Sequence, residues 1–302
     1  MRKFSISDKL ILASLILSIL TIIIVASYSF YNAREAILDR TFNQLKSVSF
    51  VKSTQIESFF ENRLKETKLA ASSSDLKIII DKFTKSDKSG GSNFQIDEWL
   101  NNDFLNQFHK KDFRNISIIT KDKWEIQISP ISIIRKVNSE EDSLWNKTIK
   151  HWRPIISDLQ TSSVSNHHFI TISSSIIDEN KDVSGIIIFE ISQSAIDSIM
   201  LDNDISNGLG NSGESYMVAS DYLMRSSSRF LDQSVLTTLV KTESAIKAFE
   251  GTTGTAIIDD YRGVKVLSAY TKLDIDDLNW ILLTEIDFDE ATIPIYRIGN
   301  EI

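Results

Sequence analysis

The reactive side chains of this sequence are scattered rather than gathered. An enzyme needs a nucleophile, a metal or paired acids converging in one pocket. The chain contains no HExxH, no GxSxG and no glycine-rich phosphate loop. It has no cysteine, which excludes disulfides, thiol catalysis and cysteine-ligated metals. His167 and His168 are adjacent, and adjacent side chains on a strand point to opposite faces, so they make poor joint ligands. His109 and His151 stand alone. Asp259-Asp260 and Asp276-Asp277 fall in expected turns, where solvation or capping is the ordinary role. Asn115-Ile116-Ser117 and Asn146-Lys147-Thr148 fit the glycosylation pattern, which arises often by chance. No catalytic residue, metal site or cofactor is expected.

Binding chemistry has better candidates. Glu190 lies between Phe189 and Ile191 in an apolar run, and a carboxylate buried there needs a partner. A surface-facing Glu190 explains the same residues, so both readings stand. Trp124, Trp145 and Trp152 are either core aromatics or walls of a site. Arg153, beside Trp152, can offer its guanidinium to a carboxylate from a loop.

The elements that must position these residues begin in a membrane. Leu10 to Phe30 reads LILASLILSILTIIIVASYSF without a charge, and a helix needs roughly 20 such residues to span the hydrocarbon core. Arg2, Lys3 and Lys9 precede it, which puts the N-terminus in the cytoplasm and the rest of the chain outside. A cleaved signal peptide is the competing reading, but its apolar region runs only about 7–15 residues and ends in a small-x-small site. The formal charge of −8 disfavours nucleic acid and anionic lipid surfaces as partners.

From Asn32 to about Ser74 there is neither Pro nor Gly. Ile37, Leu45, Val48, Ile56, Phe59, Phe60 and Leu64 form a stripe at helical spacing. This predicts a stalk helix with roughly 60 Å of reach. Its stripe must pack on a second copy, on the domain it carries, or on both. Ser72, Ser73 and Ser74 mark a break or cap. Asp81 to Asn93 reads as a surface loop, followed by a short helix over Trp99 to Phe108.

Strands are then expected at Asn115–Thr120 and Trp124–Ser129, a helix at Glu140–Lys150, and strands at Phe169–Ile177 and Val183–Ile191. The order repeats: a helix over Ser192–Asp204, a hairpin of Glu214–Ala219 with Leu223–Ser228, and a helix over Gln233–Glu250. Strands at Gly254–Asp259, Val264–Lys272 and Trp280–Asp287 complete it, with a final helix from near Asp289. Two similar α+β modules in series, hung on one long helix, are predicted.

Two phrases carry a family resemblance. GESYMVASDYLMRSSSRF (Gly213–Phe230) and GTTGTAIIDDYRGVKVLSAYTKLDIDDLNWILLTEIDFDEATIP (Gly251–Pro294) resemble the membrane-proximal module of double Cache domains. These are the tandem PAS-like sensor domains of bacterial chemoreceptors, sensor histidine kinases, and transmembrane cyclases and phosphatases. ITISSSIIDENKDVSGIIIFEIS (Ile170–Ser192) is similar, less closely, to the last two strands of the distal module.

The resemblance implies an α+β fold with a transmembrane helix (10–30) after a cytoplasmic N-terminus (1–9). A stalk helix (31–78), a membrane-distal module (79–200), a proximal module (201–290) and a juxtamembrane helix (291–302) follow. Family members continue from there into a second span, which the sequence as given does not reach, so a fragment of a longer receptor and an unusually short protein both remain open.

The resemblance also implies a small-molecule pocket in the distal module. In the amino-acid-binding branch, an Arg and aromatics on the crossing helix hold the carboxylate, and an acid on the last strand holds the ammonium. Glu190 matches that acid, and Leu144-Trp145 the aromatic pair. The arginine is missing, for Glu141, Asp142 and Ser143 occupy its stretch, and Gln160 stands past Asp158 where the family has Tyr. The site is thus expected around Trp124, Trp145, Trp152, Arg153, Asp158 and Glu190, for a small polar molecule. Arg225 and Arg229 are expected to secure the proximal module, and the stripe on residues 37–64 suggests a homodimer. The rival reading is a membrane-anchored extracytoplasmic binding protein, adhesin or enzyme on the same scaffold. A coding frame running on past Ile302 into a second span would discriminate.

Overall fold

The computed structural model describes residues 6–85, 113–128, 134–162, 167–201 and 209–300. Helix α1, Ile6–Ala71, runs 66 residues without interruption. Its apolar segment has a mean hydropathy of 2.8 and none of it is buried inside the protein. It is long and apolar enough to cross a membrane. The hydroxyls of Ser14, Ser18 and Thr21 donate to the carbonyls of Ile11, Ser14 and Leu17 at 2.9, 2.9 and 2.6 Å, so they expose no unpaired donor there. From Leu38 onward one face is buried, through Leu45, Ile56 and Phe60.

The chain breaks at Ser72-Ser73, as the serines predict. Ser73 Oγ accepts from the Asp75 amide at 3.1 Å at the start of α2, Ser74–Lys85. The stalk helix therefore ends at Ala71 rather than at 78, and the loop expected from Asp81 is still helix to Lys85. Leu76, Ile79, Ile80 and Phe83 explain this, because they form one buried face at helical spacing. The polar look of the segment belongs to its outer face, where Lys85 pairs with Asp81 at 2.6 Å. The helix expected over Trp99–Phe108 lies outside the described residues.

The distal sheet has the order β3-β2-β1-β6-β5-β4. Its strands are β1 Phe113–Thr120, β2 Trp124–Gln127, β3 Ile134–Lys136, β4 Ile155–Thr161, β5 His168–Ile177 and β6 Val183–Ser192. Helix α3, Ser139–Thr148, crosses its outer face behind an Asn138–Glu141 capping box. Strands β3 and β4 escaped the sequence reading. In β4, IISDLQT, the polar residues break the alternation, and the pairing with β5 shifts register between Ser157 and Gln160.

Helix α4, Gln193–Met200, leads into the proximal module. There β7 Glu214–Ala219, β8 Gly254–Asp259, β9 Lys265–Lys272 and β10 Trp280–Asp287 form a sheet of order β7-β10-β9-β8. The expected strand Leu223–Ser228 is not one; it makes only the single bridges Val218↔Met224 and Leu223↔Leu239. The helix expected over Gln233–Glu250 shrinks to α5, Glu243–Phe249, capped by Thr242. Gln233 and Leu236 have positive φ, 53° and 59°, and Ser234 Oγ accepts from the Ser228 amide at 2.8 Å. Tertiary hydrogen bonds thus hold a coil where local spacing favours helix. Helix α6, Phe288–Asn300, closes the described chain.

Helices α1 and α2 cover the inner face of the distal sheet, around Phe60, Ile79, Ile118, Ile172 and Phe189. Lower on α1, Leu38 and Leu45 pack with Leu267, Ala269 and Ile286 of the proximal sheet and Ala291 of α6. Every residue of the predicted stripe is at least partly buried in these contacts. The stripe is satisfied within the chain and so gives no support to a second copy.

Candidate functional site

Each sheet sets its first strand beside its last, so residues paired across β1-β6-β5-β4 have counterparts across β7-β10-β9-β8. Directly opposed residues in antiparallel strands project to the same face. On the outer face of the distal sheet one row reads Asn115, Glu190, Thr171, Ser157, and the next Ser117, Ile188, Ser173. The proximal rows read Glu214, Glu285, Ser268, Ala256, and Tyr216, Leu283, Tyr270. Glu190 and Glu285 therefore occupy equivalent positions. Where the distal sheet has Ser117 and Ser173, the proximal sheet has tyrosines.

That difference in volume decides which module is hollow. In the proximal module the rings of Tyr216 and Tyr261 meet edge to face, 5.4 Å between centroids. The Tyr216 hydroxyl donates to Glu285 at 2.7 Å, Tyr261 donates to Glu214, and Ser228 Oγ donates to Glu214 at 3.0 Å. Burial pushes the Glu285 carboxyl up to about 7. Tyr216 is fully buried and Glu285 is 2 % exposed, so the rings fill the space over this row. In the distal module a cleft of about 830 Å³ opens instead, lined by Ser117, Ser157, Thr171, Glu190, Asp158 and Glu125 among others. Thr148 of α3 meets Ser173 at 2.7 Å, hydroxyl to hydroxyl, which ties the helix to the sheet beside it.

The cleft is acidic. Glu125, Glu140, Glu141, Asp158 and Glu190 line it, against Lys147 as the cationic side chain among the described lining residues. Arg135, at its edge, pairs with both Glu125 and Glu141. Burial, then repulsion from Glu141, raises the Glu125 carboxyl above its ordinary range, against the pull of Arg135. Burial likewise raises Glu190, opposed by a hydrogen bond from the Asn115 side chain and by the charge of Arg114. The Thr171 hydroxyl is buried without a hydrogen-bond partner.

One wall of the cleft is held by the other module. Arg225 donates to Asp158 through Nε at 3.0 Å and NH2 at 2.9 Å, and to Asp221 at 2.8 Å. Trp280 Nε1 donates to the same Asp158 carboxylate at 3.0 Å. The Trp280 ring stands edge-on to Phe60 of α1, 5.9 Å between centroids. Nearby, Arg153 grips Asp277 with two bonds of 2.8 and 2.7 Å, and the Ile156 amide donates to it at 3.1 Å.

Of the six residues expected to form the site, the structure brings Glu190 and Asp158 to the cleft. The other four lie elsewhere. Trp124 is on the inner face, edge to face with Phe83, because its position in β2 has the opposite parity to the cleft-lining Glu125. Trp145 is 6 % exposed and packs under α3 against Ile119, Ile186 and Ile188. Trp152 is 93 % exposed, outside the cleft. Arg153 is committed to Asp277. The small hydroxyl residues Ser117, Ser157 and Thr171 were missed, as were Glu125 and Glu141. The signal available was the run of serines and threonines on alternate positions of strands otherwise rich in isoleucine. Arg225 bonds to Asp221 of its own module and to Asp158 of the distal one. Among the described residues no group of His, Cys, Asp and Glu is arranged to hold a metal.

The Cache domain family matches residues 33–295 of the chain. A search of curated proteins finds no match. Among solved structures, the chain is similar to the periplasmic sensory domain of the Campylobacter jejuni chemoreceptor Tlp1, with a TM-score of 0.60 at 14 % identity, covering 85 % of this chain and 99 % of that one. It is also similar to the ligand-binding domain of the C. jejuni chemoreceptor Tlp3 in complex with 4-methylisoleucine, with a TM-score of 0.59 at 12 % identity and coverage of 87 % and 95 %. The ligand-binding domain of the Pseudomonas aeruginosa amino acid chemoreceptor PctC in complex with GABA is similar at a TM-score of 0.51 and 12 % identity, covering 82 % and 100 %.

Proposed function

Because this chain belongs to the Cache domain family and carries the double Cache fold, we propose that it is the extracytoplasmic sensory part of a membrane receptor of chemoreceptor or sensor-kinase type, binding a small polar molecule in the distal cleft. The observation that carries this reading is the asymmetry between the modules. Equivalent rows carry the buried rings of Tyr216 and Tyr270 in one sheet and open onto a cleft at Glu190 in the other. The exposed apolar start of α1 anchors it, and the basic residues before that span put the N-terminus in the cytoplasm.

Signal transfer runs through Asp158. Its carboxylate lines the cleft and is bonded to Arg225 and Trp280, and Trp280 packs on Phe60 of the helix that enters the membrane. A ligand that competes for Asp158 favours a different packing of the modules on α1, and its differential affinity sets the population shift.

The test is thermal melting of the full chain in detergent against amino acids, organic acids and amines. A ligand at about 100 times its Kd adds roughly 2.7 kcal/mol to the folded state. Ser117→Tyr, which copies the residue type of the proximal row, is expected to abolish the response while the protein stays folded. Trp152→Ala is expected to leave it intact. Responses that survive Ser117→Tyr would place binding outside the cleft and end this reading.

A further inference from the structure

We infer that the proximal module is a sensor of external acidity, with the carboxyl of Glu285 as the proton-binding group and helix α6 as the element it moves. This goes beyond ligand binding in the distal cleft and uses none of its residues. It rests on the receptor reading only for the consequence of that movement.

The first ground is geometric. Glu214 on β7 and Glu285 on β10 are directly opposed in register, and each is 2 % exposed. Like charges directly opposed on neighbouring strands repel, and of two carboxylates sharing a buried site one resists ionisation. The equivalent distal row relieves this by setting the amide of Asn115 beside Glu190. Three donors converge on Glu214, from Tyr261, Ser228 Oγ at 3.0 Å and the Arg229 amide at 3.1 Å. Glu285 accepts from Tyr216 at 2.7 Å, through Oε2. Its Oε1 and the hydroxyl of Ser268, directly across on β9, are buried without hydrogen bonds. A proton on Oε1 turns an acceptor into a donor that Ser268 can accept.

The second ground is the charge around this row. The elements packed on this face bring Glu214 and Tyr216 from β7, and Asp260, Tyr261 and Arg262 from the β8–β9 turn. Asp287 follows on β10 itself, and Arg229 donates to the Gly213 carbonyl. On α5, Glu243 and Lys247 pair with each other at 2.5 Å. Arg262 is spent on Asp260 and Asp287, with bonds of 2.6 Å to each. Burial, reinforced by Asp260 and Glu214 and opposed chiefly by the Tyr216 hydroxyl, pushes the Glu285 carboxyl up to about 7.

The third ground is the route outward. Asp260, which repels ionised Glu285, is gripped by the same Arg262 that holds Asp287, the last residue of β10. Helix α6 begins at the next position, and Glu290 in its first turn accepts from the Asn211 and Ser212 amides at 2.9 and 2.7 Å. A charge appearing at Glu285 adds a carboxylate beside Asp260 and disturbs the guanidinium that fixes the root of α6. The direction follows from linkage. The packed arrangement binds the proton more tightly than one that gives Glu285 water, where its ordinary value is 4.5. The rearranged form therefore gains on the packed one from about pH 4.5, tenfold per unit, and levels off above about pH 7, a bias of up to about 300-fold.

The chain has no cysteine, so a nitroxide at Ile293→Cys, 46 % exposed on α6, reports that helix alone. Its spin-resonance line shape and the infrared band of protonated carboxyls are followed from about pH 5 to about pH 8 on the full chain in detergent. Expected are one line shape at the acid end, a second growing in toward the alkaline end, and loss of a carboxyl band over the same range. Glu285→Gln, close in shape and permanently neutral, is expected to lack that band and to keep the acid line shape throughout. Glu214→Gln removes a repelling charge. It is expected to lower the midpoint of the band by about half a unit or more and to shrink the change at α6.

A line shape indifferent to pH, a line-shape change that survives Glu285→Gln, or a midpoint unmoved by Glu214→Gln would each overturn the inference. Should Glu285→Gln fail to fold, Glu214→Gln decides alone. A pH response lost in Ser117→Tyr but kept in Glu285→Gln would move the proton site to the distal cleft. Ligand stabilisation that persists where no pH response of α6 is found would remove this inference and leave the distal cleft as the sensory site.

Discussion

At the scale of single residues, two equivalent glutamates have opposite surroundings. Glu190 opens to a cleft, and Glu285 is 2 % exposed beneath Tyr216. Glu285 makes stability depend on pH in a calculable direction. Its folded pKa of about 7 exceeds the ordinary 4.5, so the folded state binds the proton more tightly than the unfolded chain. Its contribution is complete below the unfolded value and is lost as pH rises through the folded one. The ionised form costs the fold roughly 3 kcal/mol above that window. Glu285→Gln is therefore expected to raise the melting temperature at about pH 8 and to flatten its slope between about pH 5 and pH 8. A variant that kept the wild-type slope would show that Glu285 is ionised at no cost. At Glu190, sequence reasoning identified the residue but not its partners, because Asn115 and Thr171 lie on other strands, distant in the chain.

At the scale of elements, the contacts between β4 and the turns of the proximal module decide how the two sheets sit. Arg225 is 4 % exposed while Asp158 is about half exposed, so the pair is partly screened and each partner is worth less than in a dry core. Asp158→Asn is expected to cost about 1–2 kcal/mol, and a double-mutant cycle with Arg225→Met to show coupling of about 1 kcal/mol or more. Additive effects would remove Asp158 from the transfer route. Phe60→Ala, which opens a cavity against Trp280, is expected to destabilise by about 3–5 kcal/mol in chemical denaturation. Strand β4 and the coil over 233–242 were not legible in the sequence. In both, hydrogen bonds to another part of the chain replace the local pattern that normally announces an element.

At the scale of the whole molecule, the apolar start of α1 and the folded body are separable in their physics. The span touches no other part of the protein, and burial begins at Leu38. Residues 33–300 are therefore expected to be soluble and to melt cooperatively, within about 1 kcal/mol of the full chain in detergent. Loss of the melting transition on removing residues 1–32 would show that the span supports the fold. The proposed sensor reading belongs at this scale as well, since the cleft, Asp158 and α1 are linked through contacts that exist only in the assembled modules.

What the sequence determined by itself was everything written in short-range pattern. The charge-free run of Leu10–Phe30, the stripe from Ile37 to Leu64 and the alternating strands of the two modules follow from hydropathy and period, and these act within a few turns or residues. The phrases around DYRG and LNWILLTEID pointed to the double Cache family for the same reason, being continuous in the chain. Only the tertiary structure decided that the stripe packs internally, that Trp152 faces solvent and that Arg153 and Arg225 each hold an aspartate of the other module. It alone decided where the hollow lies. A cleft is set by the summed volume of side chains from several strands, and Ser117, Ser173 and Thr171 become neighbours only once β1, β5 and β6 have paired.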